Sequence, residues 1–107
     1  MKVLALIPAY NEEKTLGGVL TATQPFVDGM LVVNDGSTDR TSQIARAHGA
    51  IVVEHVINRG LGAAIGTGFA TARRLRAEVV VTLDADGQHD PAEIRNFSTR
   101  SRKERTW

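Results

Sequence analysis

The chain is predicted to be an α/β protein with a four-stranded, mainly parallel sheet and three crossover helices. Two patterns carry that expectation. Four short, nearly continuous apolar runs, Val3–Pro8, Gly29–Asn34, Ala50–Val56 and Ala77–Leu83, are rich in Val, Ile and Leu. Such runs mark strands covered on both faces. Helical stretches separate them, and repeated strand–helix alternation implies right-handed crossovers between parallel neighbours.

Each helix has its own signals. The first is predicted to open at Asn11, a good N-cap, with Glu12 and Glu13 favouring the positive end of the helix dipole and Leu16, Val19 and Leu20 forming the apolar stripe. The second is expected to start near Ser37-Thr38-Asp39, bury Ile44, Ala45 and Ala47, and stop at Gly49. The third is predicted from about Gly60 to Arg74, with Leu61, Ile65, Phe69, Ala72 and Leu75 at helical spacing.

Composition excludes several classes of function. Apolar residues make up 42% of the 107 and charged residues 23%, an ordinary globular balance large enough for one core. The absence of cysteine excludes disulfides, zinc–thiolate sites and thiol catalysis, and suits a cytoplasmic protein. No apolar run reaches the roughly 18–20 residues that span a bilayer, and the N-terminus lacks a signal-peptide layout. The net charge of +1 divides unevenly, with −3 in residues 1–94 and a basic segment from Arg95 to Trp107. That segment has neither helical nor strand periodicity and is read as a solvated, irregular tail. No nucleic-acid partner is expected.

Ligands of open parallel sheets sit beyond the carboxyl ends of the strands. Polar clusters follow every predicted strand: Asn11-Glu12, Asp35-Gly36-Ser37, Asn58-Arg59-Gly60 and Asp84-Ala85-Asp86. One edge of the sheet is therefore the expected site. Two carboxylates one residue apart after a buried strand, Asp84 and Asp86, are costly unless a cation pairs with them. A hard divalent ion with oxygen ligands fits, Gln88 can add a neutral oxygen, and His89 and Asp90 lie close by; a solvated acidic turn is the alternative. A calcium loop of the EF-hand type fails, because its sixth position would be His89 and its twelfth Arg95.

The other clusters are weaker singly. Asp35 can accept from the N–H edge of a nucleobase, or simply cap a helix with Ser37. Pro8 and Tyr10 can end a strand and lay a ring against a base, or only end the strand. Asn58-Arg59-Gly60-Leu61-Gly62 looks like a phosphate cradle at a helix start, with Arg59 as a diphosphate partner. Its third glycine, Gly66, comes one residue late for a dinucleotide fingerprint, and Gly62, Gly66 and Gly68 can instead allow close helix–sheet packing. His48 and His55 are expected at a helix end and on a strand. No nucleophile with a neighbouring base is recognisable.

In order along the chain, Ile7-Pro8-Ala9-Tyr10-Asn11-Glu12, Val32-Val33-Asn34-Asp35-Gly36-Ser37-Thr38-Asp39, Asn58-Arg59-Gly60-Leu61-Gly62 and Leu83-Asp84-Ala85-Asp86-Gly87-Gln88-His89-Asp90-Pro91 resemble the family-2 glycosyltransferases, especially polyprenyl- or dolichyl-phosphate mannose and glucose synthases. The resemblance implies a Rossmann-like half-domain of GT-A type over residues 1–94, followed by the tail 95–107. It implies inverting transfer from a GDP- or UDP-sugar to an acceptor such as a polyprenyl phosphate, at the cytoplasmic face of a membrane. Pro8, Tyr10, Glu12, Asp35, Arg59 and Asp84 would bind the nucleotide. Asp84, Asp86 and Gln88 would hold Mg2+ or Mn2+, with Asp86 catalytic. Asn34 departs from the family, where an aspartate is common. The family's acceptor half has no counterpart here, so a piece that only binds nucleotide is an alternative, and an Asp-x-Asp phosphohydrolase a second. Without that half, strand 77–83 would be an apolar edge that invites self-association.

Overall fold

The computed structural model describes residues 1–87; Gln88, His89, Asp90 and the segment 95–107 lie outside the described residues. In chain order come β1 (Val3–Ala9), α1 (Leu16–Thr23), a 3₁₀ turn (Gln24–Phe26), β2 (Gly29–Asp35), α2 (Thr41–Ala47), β3 (Ile51–His55), α3 (Leu61–Arg74) and β4 (Val79–Thr82). The sheet order is β3-β2-β1-β4, and every pairing is parallel.

Side chains on a strand alternate between faces, so β1 serves two layers at once. Val3, Ala5, Ile7 and Ala9 join Leu16 and Leu20 of α1 and Ala45 of α2 in one core. Leu4 and Leu6 join Ala64 and Ala72 of α3 in the other. This double burial is why β1 reads as an unbroken apolar run.

The chain steps outward from β1 to β2 to β3 through α1 and α2, then returns through α3 to β4 on the far side of β1. A right-handed crossover running the opposite way along a sheet falls on the opposite face, which separates α3 from the other helices. The reversal opens a crevice beyond the carboxyl ends of β1 and β4, the switch point at which such sheets bind ligands.

The helices differ from expectation in detail. Helix α1 starts at Leu16, not Asn11; Asn11 takes a left-handed backbone (φ 51°), and its side chain accepts from the Thr38 N–H across the loops instead of capping. Helix α2 starts at Thr41 and leaves Ala47 exposed, but ends as expected at Gly49 (φ 81°). There the Ala50 N–H reaches Ala45 O and the Gly49 N–H reaches Arg46 O, closing a Schellman motif.

Helix α3 buries Ala64, Gly68 and Ala72, whereas Leu61 and Phe69 are 63% and 41% exposed. A Cβ at Gly68 would lie 2.2 Å from Leu6 Cδ1, so α3 sits too close to the sheet for a larger stripe to face inward. Of the predicted stripe, Leu61 and Phe69 are therefore turned off the sheet and Ile65 is half-buried, while Ala72 is buried and Leu75 packs against the core as expected. The close-packing role suggested for three glycines belongs to Gly68 alone; nothing lies within 4 Å of a Cβ at Gly62 or Gly66. Among the described residues no helix is long and apolar enough to cross a membrane.

Gly68→Ala is expected to lower unfolding stability by about 1–3 kcal/mol, the usual cost of overpacking. Gly66→Ala, on the open side of the same helix, should raise it by up to about 1 kcal/mol. Urea unfolding of the two variants beside the wild type checks both.

Candidate functional site

The loops after the strands are laced together by polar side chains. From the loop after β1, the Asn11 N–H donates to Ser37 Oγ (2.8 Å), Glu12 N–H to Thr41 Oγ1 (3.0 Å) and Glu13 N–H to Asp39 Oδ2 (3.2 Å). Asp39 also accepts from the Thr41 N–H (2.9 Å) and the Thr41 hydroxyl. The Thr15 hydroxyl lies 2.7 Å from Ala85 O and ties the loop after β4 to the start of α1.

Asp35, at the end of β2, is the most enclosed acid of this edge, 4% exposed. Its Oδ1 accepts from His55 Nδ1 (2.7 Å) and the Arg59 N–H (2.9 Å), and its Oδ2 from the Gly60 N–H (2.8 Å). A carboxylate only accepts, so His55 Nδ1 carries the proton. His55 Nε2 lies 2.8 Å from Thr67 Oγ1 of α3. Burial by itself would push the Asp35 carboxyl up, but these donors outweigh it and hold it below the ordinary value of 3.8. Gly36 makes the arrangement reachable: it has φ 78°, and a Cβ there would fall 2.4 Å from the Asn58 N. Only glycine lets the two loops approach this closely.

Asn34 explains its own departure from aspartate. It is buried, its Nδ2 donates to Ser42 Oγ (2.6 Å), and its Oδ1 accepts from the Ser37 N–H (3.1 Å). An aspartate would lack the first donor. The neutral amide also keeps a second buried charge away from Asp35.

A cleft of about 230 Å³ opens at the crevice between β1 and β4, lined by Pro8, Tyr10, Glu12, Asp35, Asp84 and Asp86 among others. Asn58, Gly60, Leu61 and Ala64 bring the start of α3 to the same cleft. Ala85 is buried between Asp84 and Asp86, both exposed, so the backbone is anchored while the two acids stand at the rim. Among the described lining residues four are carboxylic acids and none is Lys or Arg. Among the described residues no three His, Cys, Asp or Glu side chains come together as a metal cage. The donor set of Asp84 and Asp86 instead fits a hard cation that keeps water and takes substrate phosphates to complete its shell.

Most of the residues singled out from the sequence thus share one cleft. Arg59 is the exception among those described: it is exposed, it is not part of the lining, and it contributes its backbone N–H to Asp35. Gln88 lies outside the described residues. His48 caps α2 and His55 lies on β3, both as expected. What the sequence did not reveal is that His55 and Thr67 brace Asp35. The position of His55 at a strand's carboxyl end was the available clue; Thr67, inside a helix, had none.

The glycosyl transferase family 2 model matches residues 5–106. The chain belongs to that family. A family member similar to it is the UDP-N-acetylglucosamine–dolichyl-phosphate N-acetylglucosaminyltransferase of Methanococcus voltae, 36% identical over 86% of this chain and 44% of the relative. Another is the undecaprenyl-phosphate 4-deoxy-4-formamido-L-arabinose transferase of Edwardsiella ictaluri, 38% identical over 86% of this chain and 31% of the relative. The chain thus spans less than half the length of these curated relatives. Among solved structures, glucosyl-3-phosphoglycerate synthase from Mycobacterium tuberculosis, in complex with Mn2+, UDP and glucosyl-3-phosphoglycerate, superposes with a TM-score of 0.66 at 29% identity, over 78% of this chain and 33% of that one. The fold is that of the GT-A glycosyltransferases.

Asp39 offers a check on the loop lacing. Burial would raise its carboxyl, but the Thr41 hydroxyl and the N–H groups of Thr41 and Glu13 hold it below 3.8. A depressed folded value stabilises above the unfolded one and is lost as pH falls through the folded one. Asp39→Asn sets an amide donor against N–H groups and is expected to cost about 1 kcal/mol at about pH 7. The gap should narrow steadily below 3.8 in urea unfolding followed across pH.

Proposed function

We propose that this chain binds a nucleoside-diphosphate sugar in the cleft and contributes to metal-dependent, inverting sugar transfer. The observation that carries the proposal is the charge of the cleft: among the described residues its lining holds Glu12, Asp35, Asp84 and Asp86 and no basic side chain. A diphosphate would be repelled there unless a cation accompanies it. Asp84 and Asp86 would hold Mg2+ or Mn2+, with Gln88 completing the protein's share. When bound, the ion would act as a Lewis acid and template for the departing nucleoside diphosphate.

The remaining roles follow from this chain's own residues. Tyr10, 46% exposed at the cleft, offers a ring face for the base. Pro8 shapes the wall beside it, and Asp35 accepts a base N–H. Glu12, in the same lining, would contact the nucleoside. Asp86 is the candidate catalytic acid residue, through its hold on the ion beside the reacting phosphate. Arg59, exposed and next to Asp35, would approach the diphosphate only by turning its side chain inward. The M. voltae and E. ictaluri relatives support an acceptor of the polyprenyl-phosphate class. Such an acceptor is already anionic and needs little help from a base. Its lipid tail supports action at the cytoplasmic face of a membrane. Family membership favours transfer over the phosphohydrolase alternative. Residues 1–94 are proposed as the nucleotide-binding unit, with 95–107 as a basic tail.

Calorimetry with Mn2+ and UDP or GDP should show binding by the chain that disappears on chelation. Asp84→Asn and Asp86→Asn should each weaken the metal-dependent part by about tenfold or more, while leaving the thermal midpoint nearly unchanged. Binding that ignores both substitutions and the metal would reject the proposal; a parallel transfer assay separates an active chain from one that only binds. A further proposal concerns β4, which pairs with β1 alone among the described residues. Self-association through that edge would appear as a concentration-dependent dimer in sedimentation, and a monomer at all concentrations would exclude it.

A further inference from the structure

We infer that the loop after β3 and the outer face of α3 form a surface that lies on an anionic membrane, with the mouth of the cleft at the level of the lipid headgroups. The inference rests on the proposed lipid-borne acceptor for its choice of partner, and it assigns the part of the fold that meets the bilayer.

Three large apolar side chains stand exposed close together after β3: Val56 is 98% exposed, Ile57 67% and Leu61 63%. Single exposed apolar residues are ordinary on a protein surface, but a contiguous group marks a contact site. Arg59 stands exposed among them. The patch continues along α3, whose inward face is filled by Ala64, Gly68 and Ala72. Gly62, Gly66, Phe69 and Ala70 of the same helix are exposed. A helix at the surface of a soluble domain ordinarily turns charged or polar side chains outward. From Gly60 to Ala72 the only polar side chains are those of Thr67 and Thr71. Both are bonded within the fold: Thr67 Oγ1 lies 2.8 Å from His55 Nε2, and the Thr71 hydroxyl donates to Thr67 O (2.9 Å). Until its last turn, α3 has nothing on its outer face that calls for water.

Charge selects the partner. Between Glu54 and Glu78 the chain carries Arg59, Arg73, Arg74 and Arg76 and no acid. The last three are exposed at the far end of α3, and Arg76 takes the left-handed position (φ 58°) where helix ends favour glycine. An apolar surface with cations at both ends is the pattern of a helix that lies in the interface of an anionic bilayer. Helix α3 is not long and apolar enough to cross one. Leu61 and Ala64 also line the cleft, while Asp84 and Asp86 stand on its other wall. Contact through Val56, Ile57 and Leu61 therefore opens the cleft toward a phosphate carried at the lipid surface.

The test uses the full chain and vesicles of phosphatidylcholine, alone or mixed in equal parts with phosphatidylglycerol. The chain is expected to sediment with the mixed vesicles and not with the neutral ones. Val56→Ser with Ile57→Ser should weaken that binding about tenfold or more, and Arg73→Gln with Arg74→Gln by a similar factor. These four side chains are exposed and outside the cleft lining, so calorimetry with UDP and Mn2+ should give unchanged nucleotide binding. Because the chain has no cysteine, Val56→Cys can carry a polarity-sensitive dye, whose emission should shift to the blue on the mixed vesicles. The same dye at Ala22→Cys, exposed on α1 across the sheet, should not shift. The dye reads the contact even if a doubly substituted variant does not fold.

Three results would overturn the inference. One is no preference for the mixed vesicles. Another is binding that keeps its strength in either double variant, the outcome expected if the basic segment 95–107 docks instead. The third is a Val56 dye already shifted without vesicles, as a second copy on this face would produce. Nucleotide binding without vesicle binding removes the surface and leaves the site standing; vesicle binding without nucleotide binding keeps the surface and removes the site.

Discussion

The edge of the sheet that carries the cleft is organised around one buried charge, the Asp35 carboxylate. An acid this enclosed is tolerated only because three donors meet it, and all three come from β3 or the loop that follows. Those bonds hold the start of α3 against the end of β2. The close approach of Gly36 to the Asn58 backbone is the steric condition for it. Remove the charge or the glycine, and the wall of the cleft formed by Asn58, Gly60 and Leu61 loses its anchor.

The opposite wall is held differently. Thr15 binds the carbonyl of Ala85, and Ala85 is buried, so the turn between Asp84 and Asp86 is fixed by its backbone while its acids remain at the rim. Rigid backbone with exposed carboxylates is the arrangement a metal–diphosphate site needs, because preorganised charge requires no reorganisation at the moment of reaction. The two walls meet at the switch point between β1 and β4, where the reversal of sheet growth leaves room for a ligand.

Much of this was legible in the residues. Four apolar runs placed four strands within a residue or two of their ends, and the polar clusters that follow them do converge on one cleft. The misreadings share a cause. Asn11 carries the side chain of a local cap yet bonds across loops distant in sequence, and Asp39 bonds both ways, locally to Thr41 and across to Glu13. A capping residue and a loop tie look alike in sequence, because both rest on a short polar side chain beside a free N–H. The first half of the α3 stripe failed for another reason, while Ala72 and Leu75 face the core as expected. Its large apolar residues have the right period, but the space between helix and sheet at Gly68 admits only small ones.

The sequence by itself determined the α/β alternation, the parallel sheet and the edge on which chemistry gathers, because hydrophobic periodicity and turn residues act locally. The three-dimensional packing decided which face of α3 is buried, which polar side chains bind across loops, and that His55 and Thr67 stand behind Asp35. Those outcomes depend on contacts between segments 12 to 70 residues apart, set by backbone approach rather than by any local preference.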